Sequence, residues 1–594
     1  MQTMIRLFNV HVLSQVSTTV KTWAVLLTLL TGLTSVAVAQ VVSVVPAKNA
    51  LNVSPSTTVQ VTFSAAMLTS SFNDTTSFIV SGVTSGRHRG TIVFCGGNTI
   101  ATFTPTVAFK QGEVVIVDLT SNLKNASNVS ITPVVYSFRT SVSSTPGTFA
   151  AKVDYATGSS PMSIYTCDVD GDGDADVLTA NSGSTTVSVF KNNGNGTFAA
   201  KVDYTAGSSP RSVYACDADG DGDADIMVAN NGSTTVSVLK NNGNGTFAAK
   251  VDYTTGSSPR IVYASDIDGD GDADMLIPNS TSNTISVLKN NGNGTFAAKV
   301  DYTTGSSPRS ASAGDIDNDG DVDIFAANSS SNTVSVLKNN GNGTFVAKVD
   351  YTTGTSPRSV YASDIDGDGD ADMMIANNGT TTVSVLKNNG DGTFAAKVDY
   401  TAGSNPMSIY AYDIDGDGDG DIMVANNGTT TVSVLKNNGD GTFVAKVDYT
   451  VGSSPYAVYA SDIDSDGDVD MLAANSGSTT FSVLKGDPFP SSTITATSDA
   501  NGSITPSGTV TVNNGSNQVF TITPNTGYHI DSVIVDGVKV EATASYTFTN
   551  ITSNHTIRLV FAINTYTLSA SAVNGSVIKN PDQINYNYGT QVIL

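Results

Sequence analysis

Residues 343–390 read GTFVAKVDYTTGTSPRSVYASDIDGDGDADMMIANNGTTTVSVLKNNG. Within them, residues 364–372 place an aspartate at every second position. The pattern DxDxDGDxD begins at Asp168, Asp217, Asp266, Asp315, Asp364, Asp413 and Asp462, each start 49 residues after the last, with no insertion. A fixed period of this length marks a propeller, a solenoid or an array.

Four strand-like pieces fit in one unit. Residues Thr344 to Tyr351 alternate, with Phe345, Ala347, Val349 and Tyr351 on one side. Arg358 to Ser363 is a second strand that runs into the Asp loop. Asp372 to Ala376 is short and apolar, as a strand buried on both faces would be. Thr382 to Lys387 is the fourth, followed by a turn at Asn389-Gly390. Four short strands per repeat make the blade of a β-propeller, and no 3.6-residue periodicity supports a helical solenoid. The array begins with one lone edge strand, from Gly147 to Tyr155, and ends after Lys485 without its own. The N-terminal strand is thus expected to complete the last blade and close a ring of seven.

The loops concentrate carboxylates that would repel one another without a cation. The first three are Asp168, Asp170, Asp172, Asp174, Asp176; Asp217, Asp219, Asp221, Asp223, Asp225; and Asp266, Asp268, Asp270, Asp272, Asp274. The next two are Asp315, Asp317, Asp319, Asp321, Asp323; and Asp364, Asp366, Asp368, Asp370, Asp372. The last two are Asp413, Asp415, Asp417, Asp419, Asp421; and Asp462, Asp464, Asp466, Asp468, Asp470. Hard oxygen donors at this density suit Ca²⁺, about seven ions in all, and the glycine at position six allows a sharp turn. An EF-hand would need Glu at position twelve. That position holds Thr179, Val228, Ile277, Ala326, Ile375, Val424 and Ala473, so the EF-hand is rejected.

A loop between two strands with Asp at positions 1, 3, 5 and 9 resembles the FG-GAP/VCBS repeat, the family that includes the blades of the integrin α-subunit propeller. The resemblance covers residues 147 to 485. It implies that the side chains of Asp168, Asp170, Asp172 and Asp176 bind Ca²⁺ with the backbone carbonyl of Asp174, and likewise in the other six loops.

Residues 41–141 carry Val45-Pro46, Asn52-Val53, a strand at Val59 to Ser64, another at Ala101 to Pro105, and Tyr136 to Thr140. In that order they resemble an S-layer-type (SbsA-type) bacterial Ig-like β-sandwich, which implies a spacer or adhesive arm. Beyond a proline-bearing linker, Asn501-Gly502-Ser503-Ile504 recurs as Asn574-Gly575-Ser576-Val577, 73 residues on. These segments resemble internalin-type B-repeats, one complete over 493–563 and a second cut short over 565–594.

Composition narrows the function. The chain has 594 residues and a formal net charge of −24, which argues against nucleic acid or an anionic membrane as partner. Residues 147–485 alone hold 44 Asp against 14 Lys and 4 Arg. Arg6 and Lys21 precede an apolar run from Trp23, and Ala37-Val38-Ala39 offers a cleavage site, which reads as a signal peptide over 1–39 and a secreted or cell-surface protein. That run is about half the length of a membrane span, and no apolar stretch elsewhere reaches it.

The three cysteines, Cys95, Cys167 and Cys216, form no disulfide framework. Between 147 and 485 there is no His, no Glu and no Trp, so neither a Ser-His-Asp triad nor a glutamate pair can be built there. His88, His529 and His555 lie in the flanks and are expected at the surface. The repeats differ after a shared proline, where Met162, Arg211, Arg260, Arg309, Arg358, Met407 and Tyr456 stand. The four arginines begin consecutive inner strands, opposite the Asp loops, and could face an anionic glycan or carboxylate. The expectation is therefore a non-catalytic extracellular protein that binds a glycan or protein ligand. The alternative is a calcium-dependent polysaccharide lyase using Arg or Tyr as base.

Overall fold

The computed structural model describes residues 38–487, 491–514 and 516–594. All but the last two residues of the signal-peptide segment lie outside the described residues. Among the described residues the chain is all-β, apart from one 3-10 turn at Thr69–Ser71, and no helix is long and apolar enough to cross a membrane. It forms two compact units: residues up to Ser143 with Phe149–Gly486, and Ser144–Thr148 with Asp487–Leu594.

In the first unit, seven four-stranded antiparallel sheets follow one another along the repeats. The fifth is typical, with Pro357–Ser363, Asp372–Asn377, Thr382–Leu386 and Val398–Thr401 paired in chain order. Every residue of the second strand is buried in all seven sheets, because a sheet flanked on both faces leaves that strand no water-facing side. The alternating strand expected from Thr344 to Tyr351 is shorter. Phe345 makes only an isolated bridge to Asn339, the strand is Val349–Thr352, and Val349 is exposed. As the outermost strand it has a partner on one side only.

The seventh sheet takes its outer strand from the other end of the array. Val153–Ala156 pairs with Thr480–Leu484, setting Val153 opposite Val483 and Tyr155 opposite Phe481. Side chains join the same two ends. In five repeats the amide of an asparagine donates to a carbonyl 72 residues upstream, as Asn241 does to Val169 and Asn437 to Ile365. Asn192 has no repeat upstream and donates to Ile463 at 2.7 Å, seven periods beyond the expected position. One buried cluster spans the first, second and seventh sheets through Ile164, Val213 and Phe481.

Tyrosines on the inner strands touch across neighbouring sheets in the order Tyr263, Tyr214, Tyr165, Tyr459, Tyr410, Tyr361, with centroids 4.7–5.5 Å apart. The fourth sheet has Ser312 at this position. The third sheet has a shortened inner strand, Tyr263–Ser265, reached through an isolated bridge from Pro259 to Asn279. Pro278 stands in the neighbouring strand where the others carry Ala and has no N–H for the ladder.

The N-terminal domain has two four-stranded sheets that share one core, with Val59, Val61 and Phe103 from one and Phe78, Val117 and Phe138 from the other. It lies across the Asp loops, a placement that the expectation of a spacer or adhesive arm did not include. Backbone hydrogen bonds join Asp168 to Thr84, Ser121 to Gly269, Val135 to Gly320 and Ser143 to Gly467. Asn49 Nδ2 donates to the Gly369 carbonyl. Two ion pairs cross the same boundary, Lys48 to Asp315 at 2.7 Å and Arg87 to Asp217 at 3.4 Å. A net-acidic loop face is complementary to these cations, and two isolated basic residues carry no such signal in sequence.

In the second unit, a five-stranded and a three-stranded sheet enclose Ile494, Phe520, Val533 and Ile557. Further on, Thr565–Tyr566 pairs with Tyr586–Asn587.

Candidate metal centres

Each Asp loop leaves the end of an inner strand and returns into the fully buried second strand. The glycine at position six, from Gly173 to Gly467, has φ between 92° and 100° in all seven loops, a region that costs other residues strain. This turn folds the carboxylates inward. Asp168 Oδ1 accepts from Gly171 N at 2.8 Å and its Oδ2 from Gly173 N at 2.9 Å. Asp176 Oδ2 accepts from Val169 N at 3.0 Å and its Oδ1 from Asn192 N at 2.7 Å.

The loop brings positions one, three and nine together. Asp168, Asp170 and Asp176 each offer an oxygen within 4.8 Å of the others, as do Asp217, Asp219 and Asp225; Asp266, Asp268 and Asp274; Asp315, Asp317 and Asp323; and Asp364, Asp366 and Asp372. At position five, Asp172 Oδ1 accepts from Asp174 N at 3.0 Å. The same bond recurs at Asp221, Asp270, Asp319, Asp368, Asp417 and Asp466. Position seven, at Asp174, lies against the following turn, close to Gly194.

One observation tests whether a cation fits. At position three, Oδ1 of Asp170, Asp219, Asp268, Asp317, Asp366, Asp415 and Asp464 is buried with no hydrogen-bond partner. A buried carboxylate oxygen without a partner is costly, and seven at one repeat position mark a shared requirement. The gathered donors are all oxygen, which fits a hard divalent cation. Burial, aided by neighbouring loop carboxylates, pushes the position-nine carboxyls up. Asp176, Asp225 and Asp372 rise to about 7, Asp323, Asp421 and Asp470 to about 8, and Asp274 to about 9.

Sequence reading missed the lysine beside each loop. Lys191, Lys240, Lys289, Lys338, Lys387, Lys436 and Lys485 sit 2.7–3.1 Å from Oδ2 of the position-three aspartate. Most also tie the loop to the next repeat, as Lys191 does by donating to the Asn244 carbonyl at 2.7 Å. Lys485 donates to Asn195 of the first repeat at 2.7 Å. The string KNNG, repeated in six units, carries both this lysine and the bridging asparagine.

At the far end of the inner strands the four arginines surround a cavity of about 190 Å³, together with Met162, Met407 and Tyr456. Arg211 donates to the Tyr456 hydroxyl and lies over its ring at 5.0 Å. Arg260 Nε donates to Ser280 Oγ at 2.7 Å.

The histidine expectation fails at His88, which is buried. Its Nε2 meets Ser85 Oγ at 2.7 Å, and Ser85 Oγ also bonds both Glu113 oxygens at 2.8 Å. His88 Nδ1 is 3.2 Å from the Val107 carbonyl, so its second ring nitrogen faces a backbone oxygen and not a carboxylate. Cys95 is exposed, Cys167 buried and Cys216 half-buried, all as free thiols, and burial pushes Cys167 and Cys216 upward.

The FG-GAP-like repeat model matches residues 168–228, 217–277, 266–326, 315–375, 364–424 and 413–473, together more than half of the chain. The bacterial Ig-like domain model matches 36–140, and the divergent InlB B-repeat domain model matches 492–565. No curated protein matches the chain. Among solved structures, the chain is similar to an Agrocybe aegerita lectin described as recognising non-reducing terminal N-acetylglucosamine. That match has 19% identity and a TM-score of 0.38, and covers 68% of this chain and 95% of that one. It is also similar to the Pseudomonas aeruginosa periplasmic gluconolactonase PpgL (14% identity, 67% and 99% covered, TM-score 0.36). A third is an auxiliary nutrient binding protein from Bacteroides ovatus (11% identity, 76% and 98% covered, TM-score 0.33). With an Ig-like domain before the repeats and a B-repeat domain after them, the chain belongs to the FG-GAP-like repeat family.

Proposed function

We propose that this is a secreted or cell-surface, non-catalytic ligand-binding protein built on a closed seven-bladed propeller with about seven Ca²⁺ ions. An Ig-like β-sandwich covers the loop face, and the B-repeat module acts as a spacer. The observation that carries the metal reading is the unpartnered buried Oδ1 at position three of every loop. Closure is supported by the pairing of Val153 with Val483 and by the Asn192 and Lys485 bonds across the ends. The bacterial Ig-like and B-repeat matches support the extracellular location.

Within each site, positions one, three and nine would hold the ion, and the lysine ammonium neutralises one position-three oxygen beside it. Bound Ca²⁺ supplies the positive charge that one lysine per loop leaves short. Extracellular sites bind at roughly 0.1 to 1 mM, so about 2 mM Ca²⁺ contributes about 0.6 to 1.8 kcal/mol per site. Magnesium, which resists dehydration, should substitute poorly.

The test is thermal melting of metal-stripped protein with Ca²⁺ or Mg²⁺ added back, alongside equilibrium dialysis for stoichiometry. A melting temperature that ignores calcium overturns the metal reading. Lysis of acidic polysaccharides, read as unsaturated uronate absorbance, would overturn the non-catalytic reading in favour of a lyase.

A further inference from the structure

We propose that the arginine-lined cavity at the end of the propeller away from the Asp loops binds the acidic group of a single sugar residue, a carboxylated or sulfated unit presented by a glycan. The proposal rests on the extracellular ligand-binding reading and adds the site and the ligand class.

Charge carries the argument first. Arg211, Arg260, Arg309 and Arg358 all line one cavity, and no Asp or Glu lines it among the described residues. In a protein of net charge −24 with acids elsewhere in abundance, four cations face one another without a counter-charge. Their crowding is visible in their acidity. Burial and the neighbouring guanidinium groups bring Arg260 down to about 9 and Arg309 to about 10, and lower Arg358 as well. An oxyanion in the cavity removes that repulsion and gains charge-assisted hydrogen bonds.

Hydrogen bonding selects two of the four. Arg211 is engaged by Tyr456 and Arg260 by Ser280, whereas among the described residues no side-chain hydrogen bond ties down Arg309 or Arg358. These two belong to adjacent sheets, and each presents the planar fork that pairs with a carboxylate or sulfate. The two arginines therefore form the anion clamp, and Tyr456 offers an aromatic wall.

Shape limits the occupant. The cavity, about 190 Å³, is smaller than the roughly 300–1,000 Å³ of a drug-sized pocket, so it admits one group end-on rather than a polymer laid across it. Tyr165 and Tyr214 also line it, in ring contact with each other at 4.9 Å. Ser359 also lines the cavity and brings a hydroxyl-bearing side chain to the hydroxyls that distinguish a sugar from a bare ion.

The experiment is calorimetric titration of the full calcium-loaded chain with glucuronate, glucose 6-sulfate, inorganic sulfate, inorganic phosphate and methyl glucoside. One or both acidic sugars are expected to bind at least 10-fold tighter than methyl glucoside and than the inorganic ions. The R309A/R358A variant should lose that binding by at least 10-fold while melting no lower than the parent, because it removes buried like charges. The R309K/R358K variant should recover only part of it, since lysine lacks the fork. Acidic-sugar binding that survives R309A/R358A would leave the ligand-binding reading standing and overturn this site alone, whereas absence of all sugar binding would count against both. Absence of any binding, equal binding of inorganic ions, or binding that survives R309A/R358A overturns the proposal.

Discussion

Asn192 Nδ2 donates to the carbonyl of Ile463 at 2.7 Å, joining residues 271 apart through a contact that elsewhere spans 72. Asn192 also bonds the Ala175 carbonyl and accepts from Gly194 N, so it is a fully engaged buried amide at the seam between the first and last repeats. The same seam carries Lys485 to Asn195 and Tyr165 against Tyr459.

If the seam is equivalent to an internal junction, Asn192→Ala should destabilise as much as Asn290→Ala, each by about 1–3 kcal/mol for the carbonyls left unpaired. Denaturant unfolding of the two variants compares them directly. A silent Asn192→Ala beside a costly Asn290→Ala would show that the ends do not meet in solution.

Asp366→Ala should lower the bound calcium by one ion in about seven and leave the array folded. Its Oδ1 is one of the seven unpartnered oxygens, and each loop is a separate turn on its own sheet. The calcium-induced rise in melting temperature should shrink by about one-seventh if the sites are independent. Loss of several ions together would mean that the sites are coupled.

Without metal, stability should fall as pH rises. The position-nine carboxyls sit at about 7 to 9 in the folded protein, above the roughly 3.9 of an unfolded aspartate. Between those values the folded state holds more protons than the unfolded state, so each unit of pH weakens it. Metal-stripped protein is expected to melt higher at pH 5 than at pH 8, and calcium should narrow the difference by displacing those protons. A metal-stripped protein that gains stability from pH 5 to 8 would contradict this.

The K48A/R87A variant should loosen the N-terminal domain from the loops without unfolding either. Lys48 and Arg87 are its ion pairs to Asp315 and Asp217, partly buried and together worth about 2 kcal/mol. Hydrogen exchange should rise at the backbone amides of Ser121, Val135 and Ser143, which donate to loop carbonyls, while the repeat cores keep their protection. Unchanged exchange at those amides would place the attachment in the apolar contacts instead.

The repeat, the four strands and the gathering of aspartates were legible because they are periodic. A 49-residue period with one glycine at position six repeats the same local physics seven times, and local physics is what a sequence displays. The lysine and asparagine of KNNG were equally periodic, but their partners lie up to 72 residues away within the array and 271 across its ends for Asn192, and no spacing announces them. The buried His88, the N-terminal domain lying across the loops and the different partners of Arg211 and Arg260 were decided by tertiary structure alone. Each depends on which surfaces meet once the sheets have packed. The chain alone thus determined its repeating unit, the aspartates of each loop and the strand that completes the last sheet, and only packing decided what covers the loops and which side chains of other repeats brace them, because those contacts join surfaces distant in sequence.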